Sequence, residues 1–419
     1  MNIETLNKLI EKNQDRLFDL LGQLIRINSE NFSSYGNEKE CPAYIAELCK
    51  SLGLETEFYS PMDLEDFENH PDFFPGRQLE DRYNVTARWA GEENEDTLML
   101  MGHHDTVVIG DRANWSFDPL SGEVRDGCVW GRGACDDKYA LATVLFLIEL
   151  LQKEGFTPKK NLLFTAYCDE EKGGSHGALA SVLRYPCSRI VNMDCKNFEI
   201  WHCASGGQDA AYRYHTAQPV DSAKLTAEAV PVIMEVIEGF ADRRRKELAE
   251  NRFYKGTTIP GTALRYMGIR AGDRGADLGV GEVMFCVYSD KTKEEIFAEY
   301  KEMEAVLAQR LAPMGIIGDG FVSCCRFFHY GYREPDCAGI VELQAAAKEA
   351  TGRELVPCGS CLSDLSVLLK YGGADVFAFG AGRDFGVYGG AHQTDEFIEC
   401  DRLVEYTKII GAHVLKTLG

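Results

Sequence analysis

Three short motifs bring histidine and carboxylate side chains together in a pattern that suits divalent cations. They read Gly102-His-His-Asp-Thr-Val107, Gly131-Arg-Gly-Ala-Cys-Asp-Asp-Lys138 and Asp169-Glu-Glu171. All three follow apolar runs that are typical of buried strands. Imidazole nitrogens and carboxylate oxygens bind such cations, and the ends of rigid strands hold them at fixed positions. The pattern therefore predicts a metal site.

The elements that must position these side chains alternate between strand and helix. Apolar runs predict strands over 97–101, 162–167, 189–193 and 376–379. Helical periodicity predicts helices over 4–27, 39–53, 141–153, 175–183 and 340–351. This alternation favours an α/β fold with a mixed, mainly parallel sheet, helices on both faces and ligands at the carboxyl ends of its strands.

A different pattern between residues 206 and 325 predicts an inserted α+β domain. Its strands are expected over 208–216, 263–270 and 282–289, and its helices over 223–248 and 293–311. The predicted organisation is a catalytic domain with a first part at 1–205, the inserted domain at 206–325, and a second catalytic part at 326–419. The segment 61–82, rich in Asp, Phe and Pro, predicts a long surface loop.

Composition restricts the classes of partner. The chain has 44 Lys and Arg against 66 Asp and Glu, a net charge of −22, which repels phosphate and argues against nucleic acid and anionic membranes. No apolar run approaches the roughly 18–20 residues that span a bilayer. The fifteen cysteines are irregularly spaced and are interpreted as reduced thiols. We expect a soluble, cytoplasmic protein.

Further motifs accompany the first three along the chain. They are Arg26-Ile-Asn-Ser29, Tyr83-Asn-Val85, Trp130 before the second motif, Asp194 and Ala391-His-Gln-Thr-Asp-Glu396. With these motifs, in this order, the whole chain resembles the co-catalytic zinc exopeptidase and aminoacylase family. That family includes glutamate carboxypeptidase, acetylornithine deacetylase, succinyl-diaminopimelate desuccinylase, aminoacylase and peptidase T. The resemblance implies two Zn²⁺ ions, with Co²⁺ or Mn²⁺ as alternatives, and hydrolysis of an amide bond in a small N-acyl amino acid or short peptide.

The resemblance also assigns metal ligands position by position. His103 and Asp194 would bind one metal, and His392 and Glu171 the other. Asp136 would bridge the two. In the family the peptide bond after the bridging aspartate is cis, and we predict the same for Asp136–Asp137.

Three further residues are implied in catalysis. Glu170 would act as general base and then acid, facing the water while Glu171 holds metal. Asp105, two strand positions after His103, would orient that imidazole. His215-Thr-Ala-Gln-Pro219 is similar to the family's His-Ser-Ser-X-Pro, where the histidine helps to stabilise the oxyanion, often across a dimer. A homodimer through a lid-like inserted domain follows, and the alternative for His215 is a hydrogen-bonded histidine at a sheet edge.

The substrate-binding residues depart from the family pattern. Met284-Phe-Cys-Val-Tyr-Ser289 stands where many relatives have an Asp-X-Arg strand. An ordinary clamp for a substrate carboxylate is therefore not expected. Arg265, Arg270 and Arg274 are the candidates to replace it, and the sequence selects none of them. Arg383 is expected either in the pocket or at the surface.

Other histidines and other functions complete the expectations. His104, His176 and His202 are interpreted as packing or surface residues. The functional alternatives are a carbamoyl or ureido amidohydrolase of amino-acid utilisation, a non-catalytic relative that binds metal or peptide, and a structural dimer with an idle site.

Overall fold

The computed structural model describes residues 1–217, 221–272 and 279–419, with the side chains of residues 96 and 97 outside the description. Contacts divide the chain into two units. The first comprises residues 1–202, 332–358 and 367–419, and the second comprises residues 203–331 and 359–366. The boundaries of the inserted domain predicted at residues 206 and 325 remain predictions.

The helices cover most of the predicted segments. In chain order they are α1 Ile3–Lys12, α2 Gln14–Arg26, α3 Glu40–Ser51, α4 Lys138–Lys153, α5 His176–Arg184, α6 Ser222–Glu250, α7 Lys293–Leu311, α8 Ala338–Thr351, α9 Leu365–Tyr371 and α10 Cys400–Leu418. The helix expected over 4–27 is two helices, because Asn13 ends α1 by donating its side-chain amide to the Leu9 carbonyl at 2.7 Å.

Within the described residues, the strands form a large mixed sheet and two smaller antiparallel sheets. In chain order they are β1 Glu55–Tyr59, β2 Asn84–Trp89, β3 Asp96–His103, β4 Glu123–Arg125, β5 Cys128–Trp130, β6 Asn161–Tyr167, β7 Arg189–Asn192, β8 Ile200–Ala204, β9 Gly206–Thr216, β10 Leu264–Arg270, β11 Val280–Ser289, β12 Ile316–Ser323, β13 Gly331–Tyr332, β14 Pro357–Ser360, β15 Asp375–Phe379 and β16 Phe397–Glu399.

The large sheet has the order β1-β2-β6-β3-β7-β15-β8-β13, with β14 beside β8. Its centre, β6-β3-β7-β15, is parallel, while β1, β2 and β8 pair antiparallel. Helices cover both sides, so the predicted fold class is confirmed. In the second unit, β10-β11-β9-β12 form an antiparallel sheet.

Helix α4 is the centre of the first unit and starts directly after the second metal motif. Its residues from Lys138 to Ile148 are all buried, so apolar residues line it on every side. The buried Lys138 ammonium donates to the carbonyls of Leu24 and Ile27 at the end of α2, at 2.9 and 2.8 Å. These bonds fix the start of α4, and with it the position of the preceding residue pair 136–137.

The segment from Pro61 to Arg82 is more structured than a surface loop. It contains two short 3-10 turns, Pro61–Asp63 and Phe67–Asn69, and buries Phe67 and Leu79. Within the described part of the chain, no helix has the length and apolarity to cross a bilayer. All fifteen cysteines are free thiols, as predicted.

Candidate metal centre

The predicted ligands lie where neighbouring strands of the first unit end. His103 is the last residue of β3, the Glu170–Glu171 pair follows β6, and Asp194 follows β7. Because β6, β3 and β7 lie side by side and parallel, their carboxyl ends share one edge of the sheet. Asp136 reaches this edge from the loop before α4, and His392 from the loop after β15. The topology therefore concentrates the candidate ligands.

The Asp136 carboxylate lies between two imidazoles. Its Oδ1 is 3.1 Å from His103 Nε2, and its Oδ2 is 3.3 Å from His392 Nε2. Glu171 Oε2 lies 2.8 Å from the same His392 nitrogen, while its Oε1 accepts the Val107 backbone N–H at 2.9 Å. One carboxylate thus reaches both imidazoles, as a bridging ligand must.

Glu170 and Asp194 form a second group with the same histidine. One ligand atom from each of His103, Glu170 and Asp194 lies within 4.8 Å of the others, as also holds for His103, Asp136 and Glu171. Glu170 and Asp194 are partly exposed, whereas His103 is buried. Proximity fits Glu170 as a base and as a ligand, and the metal content of a Glu170 variant separates the two.

Asp105 holds the backbone beneath the two glutamates. Its buried carboxylate accepts the N–H of Glu170 on Oδ1 at 3.2 Å and that of Glu171 on Oδ2 at 3.1 Å. The Nδ1 atom of His103 lies 2.9 Å from the Asp105 carbonyl oxygen and 3.7 Å from its Oδ1. A carbonyl only accepts, so Nδ1 carries the proton and Nε2 faces Asp136. The His103 ring is oriented mainly by the Asp105 backbone.

Negative charge surrounds both imidazoles. Burial opposes protonation of His103, but the Asp136 hydrogen bond and neighbouring carboxylates raise its pKa well above its ordinary value. Burial also opposes protonation of His392, yet Glu171 and Asp136 raise its pKa to about 11. For Asp136, burial would raise the pKa, but the two imidazoles hold it below its usual range. The carboxylates therefore favour positive charge between them, here on the two imidazole rings.

The donor set fits divalent cations. Ligands about 2.0–2.1 Å from a tetrahedral cation lie roughly 3.3 Å from one another, a spacing close to those between Asp136 and its two imidazoles. Imidazole and carboxylate donors suit Zn²⁺, Co²⁺ and Mn²⁺. His103, Asp136, Asp194, Glu171 and His392 carry donor atoms of the type that such ions bind.

The backbone around the centre is tightly specified. The Asp136–Asp137 peptide bond is cis, as predicted. The loop carrying His392 is joined to the loop carrying Asp136 through Glu396, whose carboxylate accepts the Cys135 N–H at 2.9 Å and pairs with Arg132 at 2.6 Å. Both partners of this ion pair are buried. The two loops are thereby held in one register.

A buried network that the sequence analysis missed supports the Asp169–Glu171 segment. Asp169 pairs with Arg82 at 2.7 Å and accepts from His176 Nδ1 at 2.6 Å. The other His176 nitrogen, Nε2, accepts the Phe74 backbone N–H at 3.3 Å, and the ring is fully buried. Glu38 pairs with Arg82 and accepts the Asp169 N–H. The one available sequence signal was a charged residue, Arg82, beside the Tyr83-Asn-Val85 motif.

The remaining histidines expected to be structural have protein partners. His104 is buried with its Nε2 2.9 Å from the Tyr83 carbonyl, and burial lowers its pKa to about 4. His202 is buried with its Nδ1 2.7 Å from the Arg333 carbonyl. With His176, these histidines are packing residues, as interpreted from the sequence.

His215 belongs to the second unit, at the end of β9, where its Nδ1 lies 2.8 Å from Asp319 Oδ1. Its catalytic role stays a prediction. Arg383 is engaged by protein groups, pairing with Glu399 and donating to the Tyr388 carbonyl. Arg265 stacks over the Tyr288 ring at 5.6 Å. Arg274 and the Gln218-Pro219 end of the His215 motif lie outside the described residues.

Comparisons with known proteins identify the family and the fold of the chain. Residues 99–416 match the family model described as Peptidase family M20/M25/M40. An uncharacterized metallohydrolase of Methanococcus maripaludis is 31% identical over 172 residues, 39% of this chain and 38% of that protein. A succinyl-diaminopimelate desuccinylase of Wigglesworthia glossinidia brevipalpis is 36% identical over 107 residues, 26% of this chain and 28% of that protein.

These alignments span less than two fifths of either relative's length. Among solved structures, human carnosine dipeptidase 1 superimposes with a TM-score of 0.71 and 16% identity, covering 99% of both chains. The full-length superposition shows that the fold is shared, and at 16% identity the likeness extends to the fold alone.

Proposed function

We propose, from the premise that the chain belongs to Peptidase family M20/M25/M40, that it is a two-metal amidohydrolase. Its substrate would be a small N-acyl amino acid or a short peptide, and Zn²⁺ its native metal, with Co²⁺ or Mn²⁺ as alternatives. We also propose that the protein is located in the cytoplasm.

One observation carries this proposal. The Asp136 carboxylate reaches His103 with one oxygen and His392 with the other, at 3.1 and 3.3 Å. A surface acidic cluster has no need of two imidazoles, whereas a pair of cations sharing one ligand does. His103 and Asp194 would hold one cation, His392 and Glu171 the other.

Divalent cations in such a pair supply an activated water and a Lewis acid for the substrate carbonyl. The chain's own groups supply the proton transfers. Glu170 would accept a proton from the attacking water and return it to the nitrogen of the leaving amine. Asp105 would keep Glu170 and Glu171 at their separate positions through the backbone bonds described above. Its carbonyl would keep the lone pair of His103 Nε2 directed at the metal side.

The second unit enters the proposal through His215. By resemblance, this histidine would stabilise the oxyanion, and the unit would act as a lid and as the surface of a homodimer. The Nδ1 of His215 lies beside the Asp319 carboxylate, which only accepts, so Nε2 would also have to carry a proton to donate to the substrate oxygen.

The test combines metal removal with a substrate panel. The metal-free protein, prepared with a chelator, would be assayed on N-acetyl, N-succinyl and N-carbamoyl amino acids and on dipeptides, before and after addition of Zn²⁺, Co²⁺ or Mn²⁺. Hydrolysis is expected only after metal is added. An N-carbamoyl substrate preferred over all others would favour the ureido alternative.

Asp136→Asn is the matched variant, and the half-exposed surface residue Asp19 supplies the control, Asp19→Asn. Asp136→Asn should bind neither cation and turn over no substrate, while Asp19→Asn behaves as the wild type. Hydrolysis by the chelated protein, or by Asp136→Asn, would overturn the proposal.

A further inference from the structure

The loop that carries His392 presents apolar side chains to solvent beside the candidate centre. Phe385 is 53% exposed, and its ring lies edge to face on the His392 ring with centroids 4.9 Å apart. Tyr388, three residues on, is 67% exposed and lies against Phe397 at 6.1 Å. Phe385 is thus an exposed aromatic side chain in direct contact with a candidate metal ligand.

The loop holding Phe385 is anchored at its base. Arg402 donates to the carbonyls of Ala381 and Gly382 at 3.0 and 2.8 Å. The Tyr139 hydroxyl accepts the Ala381 N–H at 2.9 Å. Phe385 is therefore presented from a fixed backbone.

The charged side chains next to Phe385 are already paired with protein groups. Arg383 pairs with Glu399, and Asp384 with Lys196, while Asn197 donates to Asp384 at 2.6 Å. These pairs neutralise the loop on the side of Phe385. What the loop offers to a molecule bound at His392 is apolar surface, so the part of that molecule in contact must be apolar to gain from burial.

We propose that Phe385 is a specificity-determining residue that contacts an apolar or aromatic side chain flanking the scissile amide. This inference rests on the proposed function and narrows its substrate class to N-acyl amino acids or dipeptides with such a side chain. Because Phe385 contacts His392, the group it covers would lie immediately beside the reacting carbonyl. Aromatic rings give such contacts a large area for little loss of side-chain freedom.

The experiment compares selectivity in two alanine variants of the metal-loaded protein. Phe385→Ala removes the proposed contact, and Tyr388→Ala removes an exposed aromatic side chain of the same loop that lies against Phe397. The substrates are Gly-Phe, Phe-Gly and Gly-Gly, with N-acetylphenylalanine and N-acetylglycine. The readouts are kcat/KM for each substrate and the bound metal per chain.

The wild type is expected to prefer one phenylalanine substrate over its glycine counterpart. Phe385→Ala should lower that preference about 10-fold, the scale for losing apolar contact in a pocket, and leave the glycine substrate and metal content unchanged. Tyr388→Ala should keep the preference.

Three results would overturn the inference. They are a wild type that favours glycine substrates, an equal loss on all substrates in Phe385→Ala with reduced metal content, and an equal loss of preference in Tyr388→Ala. The second result would make Phe385 a support for His392 only. A wild type that hydrolyses no amide in the panel would instead refute the proposed function itself, before any variant is compared.

Discussion

Replacing Glu170 by glutamine separates the two roles that its position allows. The amide has nearly the same shape as the carboxylate but takes no proton. The backbone N–H of residue 170 keeps its bond to Asp105 Oδ1, since that contact does not involve the side chain. The geometry of the centre should therefore survive the change, and the loss should fall on proton transfer.

The expected loss follows from that chemistry. General base catalysis contributes about 10²–10⁴-fold, equivalent to about 3–5 kcal/mol of the activation barrier. We expect kcat of Glu170→Gln to fall by that factor while two cations per chain remain bound. Metal content by mass spectrometry and single-turnover hydrolysis of the best substrate give both values.

Glu171→Gln is the matched control, because the same change is made one residue away. Its Oε2 lies 2.8 Å from His392 Nε2, so this variant should lose one cation and its activity together. Retention of full turnover in Glu170→Gln would refute the base. Loss of one cation in Glu170→Gln would instead make it a ligand, as its proximity to His103 and Asp194 also permits.

Three further outcomes are expected. In Asp105→Asn, one of the two charge-assisted hydrogen bonds to the backbone of residues 170 and 171 is lost, and such a bond contributes about 1.5–3 kcal/mol. The kcat should therefore fall roughly 10–100-fold while the metal is retained. An unchanged kcat would contradict this role of Asp105. In His176→Leu, the Asp169 carboxylate and the Phe74 N–H each lose a buried partner, so the free energy of unfolding in urea should drop by about 2 kcal/mol, with partial recovery in His176→Asn. In the metal-free protein, His392 has a pKa of about 11 against an ordinary 6.5, so its protonation stabilises the fold fully below pH 6.5, and this contribution disappears as the pH rises through 11. Metal that binds His392 must therefore displace protons. Calorimetry at pH 7.5 in buffers of different ionisation enthalpy should show this proton release, and its absence would refute the raised pKa.

The sequence predicted the elements that carry the centre because apolar runs and periodicity are local signals. The strand expected over 189–193 is observed as Arg189–Asn192, and the helix over 293–311 has those bounds. Proximity of the candidate ligands followed from the rule that parallel strands end at one edge. The break at Asn13 was missed because an asparagine side chain decides it by one hydrogen bond inside a continuous apolar stripe.

What the sequence could not supply are partners chosen by the folded backbone. The Asp105 carboxylate accepts two N–H groups more than 60 residues away, and the Asp105 backbone carbonyl accepts a hydrogen bond from the His103 ring. Arg82 and Asp169, 87 residues apart, meet in the interior without a motif joining them. Whether Arg383 lies in the pocket or at the surface also depends on the folded backbone, because its guanidinium pairs with Glu399, 16 residues further along the chain.

The ion pair between Arg132 and Glu396 has a kinetic consequence. It joins residues 264 positions apart, so the loops it registers can meet only after most of the chain is arranged. Cation affinity at a shared Asp136 should accordingly appear late in refolding and be weak in partly folded chains. Bound metal would then lower chiefly the unfolding rate, which lengthens the lifetime of the native state, and would leave the refolding rate nearly constant.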